Sequence, residues 1–333
     1  MKLMKSDRTK ISDIAEALGV SAMTGSRALS GQYGVSQELR TRIIEKAKEM
    51  GYTKFKSNSD LNLLVLHQKP YLQDNSNYSL MIQGIERAIQ KVGAGYQIEF
   101  VEKKKQDEMQ LPLKLSKGNN FDGIIFVGGF NQEYVNFLKD KVKNQVLYTG
   151  YSPSYDYDSV WFNFNNGGYK QCEYLIKMGH KNIGFIGGRN PYKNQEKVMG
   201  ITSALEYYGL PVRSEFFMYV DDSFEDKIME LLSKENRPTA LICQWDYTAI
   251  RLIKMLHERG IRVPEDISVV GSGNTEMSSL CIPSLTTLDL NIDFSCETAV
   301  ELLIRRINNS EKPNESILIN SILIERDSVR RIG

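Results

Sequence analysis

Thr9-Lys10-Ile11-Ser12-Asp13-Ile14-Ala15-Glu16-Ala17-Leu18-Gly19-Val20-Ser21-Ala22-Met23-Thr24-Gly25-Ser26-Arg27-Ala28-Leu29-Ser30-Gly31 is the stretch on which the reading of this chain turns. Ile11, Ile14, Ala15 and Leu18 recur at i, i+3, i+4 and i+7, the spacing of a helix that buries one face. Gly19-Val20 stops it, and Ser21 offers the side-chain oxygen that an N-cap needs for a second helix reaching Leu29. Two helices joined by a short Gly-containing turn make a helix-turn-helix, whose second helix can enter the major groove of DNA. Val20, Thr24 and Ala28 are expected on the buried side of that helix, which turns Ala22, Met23, Ser26 and Arg27 outward. Arg27 is its only charged side chain and can fork onto a guanine edge or a phosphate. Past a Gly-Gln-Tyr-Gly turn, Ser36 is placed to cap a third helix, with Leu39, Ile43, Ala47 and Met50 on one face. The candidate DNA-contacting residues are Thr9, Ser21, Ala22, Met23, Thr24, Ser26, Arg27 and Ser36.

Charge supports a nucleic-acid module at this end. Residues 1–58 hold eleven Lys/Arg against six Asp/Glu, whereas the remainder holds 31 against 35. A basic head on a mildly acidic body is the balance of a DNA-binding module attached to a ligand-binding one. Cys172, Cys243, Cys281 and Cys296 are scattered, without a CxxC pair, and read as reduced core thiols. The first residues lack the apolar core of a secretory signal, and no run of 18 apolar residues exists to span a membrane, so the expected location is the cytoplasm.

A polar linker, 53–60, follows the headpiece, 1–52. From Leu61 onward strands, at 61–66, 97–101, 123–127, 146–148, 160–162, 182–186, 216–219, 241–243, 268–271, 285–288 and 322–325, alternate with helices, which predicts parallel sheets with helices on both faces. About ten strands exceed one convenient sheet, so the core, 61–333, divides into two α/β lobes. Ligands of such sheets sit beyond the carboxyl ends of the strands. That rule selects the loops 73–78, 128–131, 163–166, 188–197, 244–246 and 272–275. They are rich in Asn, Asp, Gln, Lys, Tyr and Trp, which suit sugar hydroxyls and a flat C–H face; a nucleobase would also stack there. Tyr78 lies in the first of these loops. No nucleophile elbow, HExxH, zinc cluster or P-loop is present, and Gly187-Gly188 lacks phosphate-loop spacing. His67, His180 and His257 read as surface or internally satisfied residues. No catalytic residue, metal or cofactor is therefore expected.

Ile11–Gly31, Val35-Ser36-Gln37-Glu38-Leu39-Arg40 and Met50-Gly51-Tyr52 closely resemble the headpiece of the LacI/GalR family of transcriptional regulators. Phe121–Ile125, Met178–Gly188, Val263–Gly271 and Pro283–Leu288 continue the likeness in family order across nearly the whole chain. The resemblance implies a homodimer that binds a near-palindromic operator, with affinity changed by a small effector, a sugar ahead of a nucleobase. It implies lobe one at about 61–161 plus 291–312 and lobe two at about 162–290 plus 313–333, with the effector in the cleft between them. The family's effector positions fall on Asn166, Lys197, Trp245, Asp246 and Asn274. Each has a plainer reading: Asn166 and Asp246 as helix caps, Trp245 as core, Lys197 as a solvated helix residue. Carbohydrate-gene repression is the expected role. A sugar-binding or sugar-modifying protein with a non-regulatory headpiece is the alternative.

Two departures stand out. Relatives follow Gly-Tyr with a hinge helix that wedges the minor groove; here 53–60 is short for two turns, which need about seven residues. The hinge is therefore expected to be missing or vestigial. Gly25 occupies a position where relatives usually carry Val, and the expectation is close backbone approach to DNA or a soft headpiece.

Overall fold

The computed structural model describes residues 9–29, 34–52, 58–69, 77–150, 156–188, 191–221 and 223–333. Among them the headpiece is three helices: α1 Ile11–Ala17, α2 Ala22–Leu29 and α3 Gln37–Glu49. Ile14, Ala28, Leu29, Ile43 and Ala47 form its core, with Ile11, Leu18, Val20, Leu39 and Tyr52 packed around them. Ser21 Oγ accepts from the Thr24 N–H at 3.0 Å and starts α2; Ser36 Oγ accepts from the Leu39 N–H and starts α3. Arg40 closes the other end of α2 by donating to the Ala28 carbonyl at 2.9 Å and the Arg27 carbonyl at 3.3 Å. A cation suits the negative end of a helix.

The buried side of α2 differs from the expected one. It is Gly25, Ala28 and Leu29, while Val20 and Thr24 are only half-buried. Gly25 faces α1, not solvent: a Cβ there would lie 3.3 Å from Ile11 Cγ2 and 3.4 Å from Ala15 Cβ. The missing side chain brings two helices together, and it does not serve an approach to DNA.

The strands are β1 Asn62–Gln68, β2 Gly95–Val101, β3 Gly123–Val127, β4 Gln145–Tyr148, β5 Asp158–Phe162, β6 Ile183–Gly187, β7 Phe217–Tyr219, β8 Ala240–Cys243, β9 Ser268–Ser272, β10 Thr286–Asp289, β11 Ser316–Ile319 and β12 Ile322–Ile324. They build two six-stranded sheets, in the orders β11-β5-β4-β3-β1-β2 and β12-β10-β9-β8-β6-β7. The pairings from β2 to β5 and from β7 to β10 are parallel, and β12 runs antiparallel to β10. β3, β5, β6 and β9 are buried along their whole length, as strands covered on both faces must be. In each sheet the order reverses once, between β1 and β3 and between β6 and β8; such switch points are where doubly wound sheets bind ligands.

The chain folds into two compact units. One comprises Met1–Lys69, Ile82–Trp161 and Asp293–Ile317, the other Pro70–Met81, Phe162–Ile292 and Leu318–Gly333. The last passage thus falls after Ile317, not after residue 312. β11 is absent from the strands that the sequence predicts, as are the short helices Lys103–Asp107, Leu113–Ser116 and Glu276–Leu280 from its helices. Of the linker, 53–57 lie outside the described residues, so the hinge expectation does too; its end, Asn58–Asp60, is a single 3-10 turn. No helix among the described residues is long and apolar enough to cross a membrane.

One buried carboxylate fastens the first unit where the chain returns to it. Asp158, at the start of β5, pairs with Arg306 at 2.8 and 3.1 Å and with Lys312 at 2.8 Å, and accepts from the Glu315 N–H at 2.8 Å. Arg306 also donates to the carbonyls of Ser310, Lys312 and Pro313. Burial by itself would raise the Asp158 pKa; the Arg306 and Lys312 bonds outweigh it and hold the carboxylate below its ordinary value. A group with a depressed pKa contributes stability that is full above the ordinary carboxylate range and is lost as pH falls through the folded value. Asp158→Asn is therefore expected to lower stability by about 3 kcal/mol at neutral pH, in urea titrations, with the gap to wild type closing in acid.

Candidate DNA interface and effector site

The DNA-facing candidates separate into two groups. Ala22, Met23, Ser26 and Arg27 are exposed on α2, with Met23 65% accessible. An apolar side chain held out in water on a small basic headpiece is available for thymine methyls. The others also serve the fold. Thr9 Oγ1 donates to the Met50 carbonyl at 2.6 Å, tying the start of the headpiece to its end. Ser21 Oγ and Thr24 Oγ1 share a 2.9 Å hydrogen bond, and Ser36 is a cap.

The effector candidates belong to the second unit: Trp245, Asp246 and Asn274 follow the carboxyl ends of its strands β8 and β9, Lys197 lies on the helix after β6, and Tyr78 and Asn166 stand in the first turns of the helices that follow β1 and β5 of the first sheet. Trp245 follows β8 and occupies the N-cap position of helix Asp246–Glu258. It is 9% exposed and meets Phe164 edge to face at 5.8 Å. Lys193 Nζ lies 5.5 Å from the Trp245 ring centre and 5.8 Å from that of Phe164, close enough for cation–π attraction. Asp246 is the first helical residue, so it is not the cap. Its Oδ2 accepts from the Thr275 N–H at 2.8 Å and Oγ1 at 3.0 Å, and its Oδ1 from Thr287 Oγ1. Burial pushes its pKa up against these bonds. The carboxylate is engaged in joining the helix to the loops around β9 and β10, and it presents no open oxygen pair to a ligand.

Lys197 is not a solvated helix residue. It is wholly buried, and its Nζ donates to Ser272 Oγ at the end of β9. Gly168 makes room for it: a Cβ there would collide with the Lys197 carbonyl oxygen. Burial lowers the amine to about 7, with Cys243 and Asp246 pulling the other way. Asn274 is held at φ +46 and is internally engaged, donating to Asp289 at 3.0 Å and accepting from Arg326 at 2.6 Å. Asn166 does not cap its helix. The cap of Phe164–Lys177 is Asn163, whose Oδ1 accepts from the Asn166 N–H at 3.0 Å. The Asn166 Oδ1 itself is buried without a hydrogen-bond partner among the described residues. Tyr78 is half-buried at the start of helix Tyr78–Val92, and burial pushes its phenol well above the ordinary range.

Sequence reasoning passes over two residues of the same loops. Asn77 and Gln244 are almost wholly buried, and neither amide end of either side chain has a partner among the described residues. Asn77 lies against Gly273, where a Cβ would come within 2.5 Å of its Nδ2. Gln244 lies where the strand order reverses, beside Gly188 at the end of β6. The switch-point rule is the signal that reaches both; family positions point to their neighbours instead. His180 is satisfied by Thr239 at 2.9 Å and the Arg330 carbonyl at 3.1 Å. His67 is buried in β1, and His257 is exposed.

Comparison with known proteins bears on both regions. Residues 10–54 match the model of bacterial regulatory proteins of the lacI family, and residues 172–329 match the periplasmic binding protein-like domain. Catabolite control protein A of Priestia megaterium is 28% identical over 84% of this chain and 86% of its own. The HTH-type transcriptional repressor PurR of Yersinia pestis bv. Antiqua is 28% identical over 96% of each. A complex of the transcriptional regulator CelR with cellobiose shares the fold, with a TM-score of 0.69 and 21% identity over 96% of this chain and 100% of that one.

Two outcomes follow. Gly25→Val crowds Ile11 and Ala15, and overpacking of this kind costs about 1–3 kcal/mol; hydrogen exchange of the Ile14 and Ile43 amides in the full chain should quicken about tenfold or more. Lys197 has a folded pKa of about 7, below its ordinary 10.5. Its depressed pKa makes stability fall as pH drops from the ordinary lysine value to the folded one, and level off below. Lys197→Met should remove that slope and raise stability at pH 6 by a few kcal/mol, on the order that the burial penalty suggests, read by thermal melts across pH 6–10.

Proposed function

The chain belongs to the LacI family of DNA-binding transcriptional regulators, and from that premise we propose that it represses carbohydrate-utilisation genes in response to a small sugar-like effector held by lobe two. The observation that carries the DNA half is the two-sided character of α2. Gly25, Ala28 and Leu29 fix it to the headpiece core, which leaves Ala22, Met23, Ser26 and Arg27 as a contiguous outward face. Arg27 is the residue able to discriminate a base edge, Ala22 and Met23 contact thymine methyls, and the hydroxyls of Ser21, Thr24 and Ser36 reach phosphates. Thr9 acts by bracing the headpiece. Two copies present two such helices to a near-palindromic operator, as a helix-turn-helix dimer requires.

The second unit, which includes Pro70–Met81, supports an effector role through its buried polar groups. Asn77 and Gln244 offer amide donors and acceptors, and Asn166 a carbonyl oxygen, that nothing among the described residues satisfies, and Trp245 with Phe164 offers aromatic side chains. Buried amides without partners are costly unless a ligand or water completes them. The cellobiose held by CelR favours a sugar. The effector acts only by binding one state of the dimer better than the other.

The test is a titration of fluorescent DNA from upstream of the protein's own gene, at two salt concentrations. Wild type should bind with a steep salt dependence. Arg27→Ala should weaken binding by roughly 5- to 150-fold, the equivalent of about 1–3 kcal/mol. Turnover of a sugar without any DNA binding would overturn the assignment.

A further inference from the structure

Lys193 and Lys197 stand one turn apart on helix Pro191–Tyr207, and residues at i and i+4 share a face. Lys193 sits over the Trp245 and Phe164 rings; Lys197 lies wholly buried below it, its amine on Ser272 Oγ. Among the described residues no carboxylate lies within ion-pair distance of Lys197. Asp246 acts on it through space, but its oxygens are held by Thr275 and Thr287. A buried ammonium without a counter-ion is among the costlier things a fold can hold. The unsatisfied amides of Asn77 and Gln244 are both more than nine-tenths buried; Asn77 lies against Gly273, next to Ser272, and Gln244 follows β8. The described residues of these strand ends therefore offer a ligand positive charge and neutral amides, with the Asp246 carboxylate already engaged.

We propose that the effector is an anionic monosaccharide, a sugar carrying a carboxylate or a phosphate, whose negative group is bound by Lys193 and Lys197 while Asn77, Asn166 and Gln244 take its hydroxyls. This rests on the effector reading of lobe two. Ion pairing with the ligand supplies Lys197 with a counter-ion, so binding relieves the cost of its buried charge. A neutral sugar leaves that cost in place.

The experiment is differential scanning fluorimetry of the full chain with glucose, glucuronate and glucose 6-phosphate, one ring in a neutral, a carboxylated and a phosphorylated form, and with sodium sulfate as a simple anion. Glucuronate or glucose 6-phosphate should raise Tm where glucose and sulfate do not, and which of the two does so identifies the anionic group. Lys197→Met and Lys193→Met should each weaken that ligand roughly 30-fold or more, and Lys197→Arg should restore part of the loss. Lys197→Met is expected to fold, being of similar volume and free of the buried charge. Equal stabilisation by glucose, no stabilisation by either anionic sugar, or stabilisation that survives Lys197→Met would overturn the proposal. The same samples, titrated onto the upstream DNA, separate the two failures: DNA binding without an anionic-sugar effect leaves the regulator standing, whereas loss of both removes the premise.

Discussion

Asp158 is a charge with almost no access to water, and a fold that contains it must bring it partners. Arg306 arrives from helix Ile292–Asn308, Lys312 and the Glu315 amide from the segment that follows. The segment 309–315 is thereby laid alongside the start of β5, and β11 continues from it on the edge of the first sheet. Pieces of chain far apart in sequence are joined at one carboxylate. Apolar burial supplies most of the driving force for such lobes, but it is non-directional; the ion cluster supplies register.

Lobe two manages its buried charges differently. Its carboxylate, Asp246, is met by hydroxyls and an amide, and its lysine, Lys197, by a hydroxyl. Neither charge neutralises the other directly. In the first lobe the ionic groups are closed upon themselves and stabilise; in the second they are left incomplete. Incomplete satisfaction is tolerable where a binding partner can finish it, and this contrast supports the effector role proposed for lobe two.

Much of this is legible in the sequence. The alternation of apolar runs and helical periods locates eleven of the twelve strands among the described residues to within a few positions, because strands buried on both faces read as continuous apolar runs. β11 escapes because Ser316–Ile319 is an edge strand with alternating exposure, short and flanked by polar residues. The helix-turn-helix is legible down to its caps, since Ser21 and Ser36 act locally. The buried side of α2 is not, because a glycine carries no hydrophobic signal even where it is the point of closest packing. At the strand ends the sequence names the residues but not their bonding: Asn163 caps in place of Asn166, Asp246 is engaged internally, and Lys197 is buried. Hydrogen-bond partners are set by tertiary neighbours such as Thr275, Thr287 and Ser272, which no local pattern announces.

β11 and β12 have a consequence of another kind. Two residues, Asn320 and Ser321, separate them, yet each is the terminal strand of a different sheet. An exposed strand edge is a template for pairing with foreign chains, and proteins guard such edges with short or covered strands. Here a single brief stretch near the end of the chain guards one edge of both sheets. Loss of the segment from Ser316 onward would uncover β5 and β10 together, so a truncation at this spot would register first as aggregation.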